Sequence, residues 1–343
     1  MTAFEAGLRG GAIALFLLLT TISLRDARRL PLARYAALFS GCGIAYMIES
    51  APPLAIAPSP AWLVPLRVLS ATGPAVFQLW ASASFDDAFR PHWWRWLPIG
   101  AMAALALWAT LLNRYLPWRF VNLACFGFVA AGIWQAMAGR AGDLIETRRR
   151  FRLILAISAG LCIGSLTLLA FFATRWLFSE GTVMSAGMIA ALALASCVLG
   201  LGLRFAEAVA PVRVRPAATA ADPEERVWLD NLKRLMEEER IYREEGFGIA
   251  ALADRMRIPE YRLRRLINQR LGHRNFTGFV NTYRLGETIA ALSDPSQAQV
   301  PILTIALDAG FQSLGPFNRA FKAETGVTPT EFRRAHAVGR AAD

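Results

Sequence analysis

The sequence predicts an all-α fold in two parts: an N-terminal bundle of seven transmembrane helices and a C-terminal double helix-turn-helix domain. Three observations carry that expectation. Seven apolar stretches, each about 20 residues long and so able to cross the hydrocarbon core, fill the first two hundred residues. A proline-rich run then breaks every periodicity. Beyond it, a short amphipathic helix pair with a tight turn occurs twice, joined by one long helix.

Composition agrees with the first part. Of 343 residues, 55% are hydrophobic and 18% charged, which excludes a disordered chain and is too apolar for an ordinary soluble enzyme. The net charge of +11 is carried almost wholly by Arg, since Lys233 and Lys322 are the only lysines. An Arg- and Ala-rich, Lys-poor chain points to a GC-rich bacterial genome. Residues 1–221 hold 19 basic and 9 acidic residues, whereas residues 222–343 hold 18 and 17. The basic excess therefore belongs to the apolar half, where membrane topology is its first explanation.

The spans run over about 8–24, 35–51, 61–85, 94–112, 120–139, 152–178 and 182–204. The first has no small-residue cleavage site after it and exits at Leu24-Arg25-Asp26, so it is a retained helix and not a signal peptide. Loops after the odd-numbered spans hold fourteen arginines, including Arg25, Arg28, Arg29, Arg34 and the cluster Arg140, Arg148, Arg149, Arg150 and Arg152. The opposite side holds four: Arg9, Arg114, Arg119 and Arg175. The positive-inside rule then places the N-terminus outside and the C-terminus in the cytoplasm of a bacterial inner membrane. Trp93, Trp94 and Trp96 on one side, and Trp62, Trp118 and Trp176 on the other, are interfacial anchors.

Polar residues inside the spans are sparse. Glu49 and Arg67 lie near outer ends and read either as a ligand site or as an ion pair with each other. Cys42, Cys125, Cys162 and Cys197 all sit in apolar runs, with no metal or redox spacing. No metal site, cofactor or catalytic constellation is expected; His92, His273 and His336 are scattered.

Residues 206–224 read as a cytoplasmic linker, with Pro211, Pro216 and Pro223 and no helical face. A helix follows from about 222 to 244, with Trp228, Leu232, Leu235 and Tyr242 on one face and Glu237-Glu238-Glu239 on a solvated one. Charge then reverses: Arg255 to Arg284 holds eight Arg and one Glu. A basic stripe on a near-neutral domain fits a partner that is anionic on one side.

Inside that stripe, Ile249, Leu252, Ala253 and Met256 form one apolar helix face. Arg257-Ile258-Pro259 breaks it, with Pro259 expected in the next helix's first turn. The second helix turns Leu263, Leu266 and Ile267 inward, leaving Tyr261, Arg262, Arg264, Arg265, Asn268 and Gln269 largely outward. Such a helix fits the major groove of double-stranded DNA, where Arg pairs with guanine and Asn or Gln with adenine. The pattern repeats with Ile302, Ile305, Ala306 and Ala309, the turn Gly310-Phe311, and a helix capped by Ser313. Phe317, Ala320 and Phe321 face inward there, and Asn318, Arg319 and Lys322 outward. A helix over about 275–293 joins the units, and two recognition helices on one strut suit grooves about 34 Å apart.

Residues 226–336 resemble the DNA-binding domain of the AraC/XylS family of transcriptional regulators. The resemblance rests on Leu252-Ala253, Leu263 with Arg265, Gly272, Phe276 and Tyr283-Arg284-Leu285, then Ile302 to Ala306, Gly310-Phe311, Ser313, Phe317, Arg319, Phe321-Lys322, Gly326, Thr328-Pro329 and Phe332-Arg333. The seven spans stand where many members carry a soluble sugar-binding domain, so the chain is similar to the membrane-anchored type. The resemblance implies base-facing positions at Tyr261, Arg264 and Arg265, and at Leu314, Gly315 and Arg319. Arg265 and Arg319 serve bases, phosphates or a structural role. Leu314 and Gly315 depart from the polar residues usual there, which shifts readout to the first unit, and Thr288 stands where Ala is usual. The resemblance also implies a homodimer and contact with RNA polymerase.

The expected function is a membrane-embedded, sequence-specific transcription regulator and not an enzyme. Its spans would sense a small-molecule, lipid or protein signal, with the bilayer and promoter DNA as partners. The alternative is a transporter-like or enzymatic membrane domain fused to a regulatory DNA-binding domain. Proteolytic release of the DNA-binding part is a third reading that the linker permits.

Overall fold

The apolar N-terminal stretches are helices in the structure, a computed structural model that describes residues 3–28, 33–51, 60–86, 89–112, 115–146, 148–154, 157–158 and 223–339. The sixth and seventh expected spans, apart from residues at the start of the sixth, lie outside the described residues, as does nearly all of the linker. The chain divides into two units. One comprises Met1–Ala141 and Thr147–Ala210; the other comprises Gly142–Glu146 and Pro211–Asp343.

In the N-terminal unit, α1 spans Ala3–Asp26, α2 Ala33–Glu49, α3 Val64–Phe85, α4 Leu97–Leu112 and α5 Tyr115–Ala138. Single 3-10 turns at Ala61–Leu63 and Trp93–Trp96 lead into α3 and α4. Helix α3 is central: it packs against α2, α4 and α5, while α1 packs on α2. Small residues let the backbones approach. A side chain on Gly73 of α3 would meet Cys42 Cβ at 3.3 Å, and one on Gly132 of α5 would run into the Phe77 ring at 2.5 Å. Around α3, Trp80 stacks on Phe39 with centroids 6.0 Å apart and meets Phe151 edge-on at 6.2 Å.

Outward faces are apolar instead of charged. Leu111, Leu123 and Trp134 are about 70% exposed, at 70%, 69% and 74%. Three helical stretches among the described residues are long and apolar enough to cross a membrane: Ala3–Asp26, Trp93–Leu112 and Arg119–Ala138. The expectation of seven is met to that extent. Helix α2 has only 17 residues. Helix α3 is not among the three because Arg67, Gln78 and several serines lower its hydropathy.

Both helix ends of this unit are closed by arginines. Arg9 reaches from α1 to the end of α2, donating to the Met47 carbonyl at 3.0 Å and to Ser50 Oγ at 2.8 Å, with Glu5 on its Nε at 3.3 Å. Beside them Glu49 pairs with Arg67 at 3.7 Å and accepts from Ser70 Oγ at 3.1 Å. At the C-terminal ends of α3 and α5, Arg148 donates to the Ser84 carbonyl at 3.0 Å. Arg152 donates to the Ala136 and Phe85 carbonyls at 3.1 and 3.0 Å. Last-turn carbonyls have no intrahelical donor, so these guanidiniums satisfy them.

The C-terminal unit begins with α6, Pro223–Lys233, which runs on as a π-helical turn, Arg234–Glu238. The expected helix to Glu244 is broken at Arg240, whose φ of 51° is left-handed; a 3-10 turn, Ile241–Arg243, follows. The break lets both Met236 and the Ile241-Tyr242 pair reach the core. Then come α7 (Ile249–Met256), α8 (Glu260–Leu271), α9 (Phe276–Ser293), α10 (Ile302–Asp308), α11 (Leu314–Thr325) and α12 (Pro329–Gly339). Two apolar cores result. One gathers α6 to the start of α9 around Leu232, Leu252, Leu263 and Phe279; the other gathers α9 to α12 around Ile305, Phe317 and Phe321. Helix α9 is common to both. Thr288 at its centre is fully buried, and its hydroxyl donates to the Leu285 carbonyl at 3.0 Å, so the departure from Ala is absorbed.

Candidate nucleic-acid interface

The apolar periodicity fixes which side of each recognition helix is free. In α7, Ile249, Leu252, Ala253 and Met256 are all buried. Arg257, at φ 54°, closes that helix, and Pro259 stands at the N-cap of α8, one step before the first turn where it was expected. In α8, Leu263, Leu266 and Ile267 face the core, leaving Tyr261, Arg262, Arg265 and Gln269 exposed. Arg265 donates to Gln269 Oε1 at 3.3 Å and its side chain is 66% exposed, so its outer nitrogens reach solvent.

Two of the expected outward residues differ. Arg264 is 5% exposed. Its Nη1 donates to the Asp143 carbonyl at 2.6 Å and its Nη2 pairs with Glu260, because the segment Gly142–Glu146 lies over that flank of the helix. A base contact by Arg264 requires those bonds to break. Asn268 is only partly exposed and donates to the His273 carbonyl at 2.9 Å, so it closes the turn after α8.

Acidic residues of α6 face the same arginines. Glu225 pairs with Arg270 and lies 3.9 Å from Arg265; Glu224 lies 3.5 Å from Arg262, whose guanidinium sits 5.3 Å over the Trp228 ring. These acids partly neutralise the stripe. The exposed pairs add little stability.

In the second unit Ile305, Ala306 and Ala309 are buried, and Gly310 turns the chain at φ 93°. A Cβ there would lie 2.7 Å from the Tyr242 carbonyl oxygen and 2.8 Å from Arg243 Cα, so only glycine fits. Ser313 takes the N-cap of α11. Phe317 and Phe321 point inward; Leu314, Gly315, Asn318, Arg319 and Lys322 are exposed, as expected. Arg284 ties the units together. It donates to the Tyr242 carbonyl through Nε at 2.9 Å and Nη2 at 2.5 Å, and lies 5.8 Å from the Phe311 centroid. Burial pulls its guanidinium below the usual arginine range. At α12, Thr328 and Glu331 form a reciprocal cap: the Glu331 carboxylate accepts from Thr328 N at 2.8 Å, and Glu331 N donates to Thr328 Oγ1 at 3.3 Å. The bonds from Thr328 hold that carboxyl below the usual glutamate range.

Gly142–Glu146 and the Glu224-Glu225 pair escaped the sequence reading. The only cue to the former was Leu144-Ile145, an apolar pair inside a charged loop.

Residues 252–335 match the family described as a helix-turn-helix domain. None of the curated proteins and none of the solved structures compared matches the chain. The C-terminal unit thus carries an AraC-type helix-turn-helix domain, the domain of a DNA-binding transcription regulator, and its partner is double-stranded DNA.

Proposed function

We propose that the chain is a membrane-embedded transcription regulator of the AraC/XylS kind, held in a bacterial inner membrane with its C-terminal unit in the cytoplasm. The observation that carries this reading is the conjunction of a helix-turn-helix match over residues 252–335 with N-terminal helices that are apolar on their outward faces. Tyr261, Arg265 and Gln269 read bases in the first half-site. Leu314, Gly315, Asn318, Arg319 and Lys322 dock the second, with readout weighted to the first because Leu314 and Gly315 offer no side-chain hydrogen bonds. The N-terminal helices sense a small molecule, lipid or protein. Glu49 and Arg67, paired near the outer helix ends, are the polar group such a signal would meet first. The active species is a homodimer that recruits RNA polymerase, and the chain catalyses no reaction.

Genome-wide crosslinking of the full-length protein to DNA, with the crosslinked species sized on a gel, tests this. Discrete promoter peaks carried by the intact chain are expected. Peaks from a short C-terminal fragment alone would replace membrane-bound regulation with proteolytic release, and an absence of peaks across growth conditions would overturn the reading.

A further inference from the structure

The five residues Gly142–Glu146 follow the end of α5 after three residues, and the chain returns to the N-terminal unit at Thr147, yet they pack as part of the C-terminal unit. Their backbone pairs with the turn between α8 and α9. Leu144 N donates to the Arg274 carbonyl at 3.0 Å, and Phe276 N donates to the Gly142 carbonyl at 2.8 Å. Between these bonds Asp143 and Asn275 form an antiparallel bridge. Leu144 is 4% exposed and belongs to the same core as Leu252, Leu263 and Phe279. Asp143 is 1% exposed; its carboxylate accepts from Ile145 N at 3.1 Å, and its carbonyl takes Arg264 Nη1 at 2.6 Å. A backbone ladder, a buried leucine and a charge-assisted bond make this a built contact.

The chain on the far side of this segment is anchored to the N-terminal helices. Arg148 and Arg152, just beyond it, bond the last carbonyls of α3 and α5, and α5 itself ends at Ala138 just before it. The segment is thus covalently continuous on both sides with residues held in the N-terminal helices.

We propose that Gly142–Glu146 is an internal strap that docks on the first helix-turn-helix unit, holds Arg264 off the DNA, and is released by movement of the N-terminal helices to switch DNA binding on. The inference rests on the regulator reading above. Arg264 lies on one helical row with Tyr261 and Asn268, at the border of the exposed basic face. Freed from the Asp143 carbonyl, its guanidinium joins that face as a further donor for base or phosphate.

The test locks the strap in place. Asp143 and Asn275 are the non-hydrogen-bonded pair of the bridge, where Cα atoms lie about 4.5 Å apart, within disulfide reach. The double variant Asp143→Cys, Asn275→Cys is made in the full-length chain with its four native cysteines replaced, and held in lipid nanodiscs. The probe is a set of duplexes of about 40 base pairs, long enough for two successive grooves, enriched from a random pool by the reduced protein. Oxidised protein should bind them at least about tenfold more weakly, a difference of about 1.4 kcal/mol, and reductant should restore binding. Leu144→Asp, which removes the buried anchor, should bind more tightly than the parent, and adding Arg264→Ala should cancel that gain. Equal affinity in the oxidised and reduced states overturns the strap and leaves the regulator reading standing. So does failure of the disulfide to form, as read by mass spectrometry. Failure of the reduced protein to enrich any duplex overturns both. The disulfide comparison decides the matter even if Leu144→Asp does not fold.

Discussion

Arg264 and Arg265 are neighbours of the same chemistry, and their surroundings give them different work. Arg265 points to solvent and donates to Gln269, and Glu225 is 3.9 Å away. That separation is longer than a good ion pair, so DNA phosphate or a guanine edge outcompetes it easily. Arg265→Ala should weaken binding to the best operator by about 1–3 kcal/mol while relaxing preference at one base position. Arg319→Ala, in a helix whose neighbouring Leu314 and Gly315 cannot hydrogen-bond through side chains, should weaken all duplexes about equally. Footprinting titrations on matched and mismatched operators check both; an Arg265→Ala protein with unchanged affinity and preference removes it from the interface. Charge and helical spacing alone could not separate the two residues. What distinguishes them is a carbonyl at Asp143, over a hundred positions earlier in the chain.

At the level of helices and turns, Gly310 decides how the second helix-turn-helix unit meets the first. Its left-handed φ of 93° and the backbone of Tyr242 and Arg243 against it leave no room for Cβ. Gly310→Ala collides with main chain, which cannot rotate away as a side-chain tip would, and strain of about 1–2 kcal/mol for the left-handed conformation adds to overpacking of about 1–3 kcal/mol. The thermal midpoint of the C-terminal unit should fall by on the order of 10 °C. Arg284, bonded to the same Tyr242 carbonyl, should lose its anchor as well. Differential scanning calorimetry on the detergent-solubilised chain reads the change, and an unaltered midpoint refutes the contact. The glycine, the paired helices and the long α9 were legible because each is written locally, in a turn residue or a 3.6-residue period. The break at Arg240 was not: Trp228, Leu232, Leu235 and Tyr242 keep helical spacing across it. Burial of Met236 together with Ile241, a tertiary demand, overrides that local pattern. In the N-terminal unit apolar length gave the helices. Their ends were read as loop charge, whereas Arg148 and Arg152 are spent on helix carbonyls.

On the scale of the whole molecule, the strap constrains topology independently of the arginine count. Gly142–Glu146 and residues 223–339 belong to one folded unit, so they lie on one side of any membrane. On the membrane-embedded reading proposed above, parity then asks for an even number of spans between them. Five helices, α1 to α5, precede the strap. On the same reading, the odd-numbered ones end on the side rich in Arg25, Arg28, Arg29, Arg34 and Arg140, which the positive-inside rule would make cytoplasmic. The ends of α3 and α5 that Arg148 and Arg152 bond are both C-terminal ends. Seven spans satisfy the parity, and so do five; six do not. Alkaline phosphatase, active only outside the inner membrane, distinguishes these. Fused after Ser50 it should be active, after Gly139 inactive, and after Asp343 inactive. Activity at Asp343 combined with inactivity at Gly139 would put the strap and the helix-turn-helix domain on opposite sides, and would rule out both the topology and the docked strap in a single measurement.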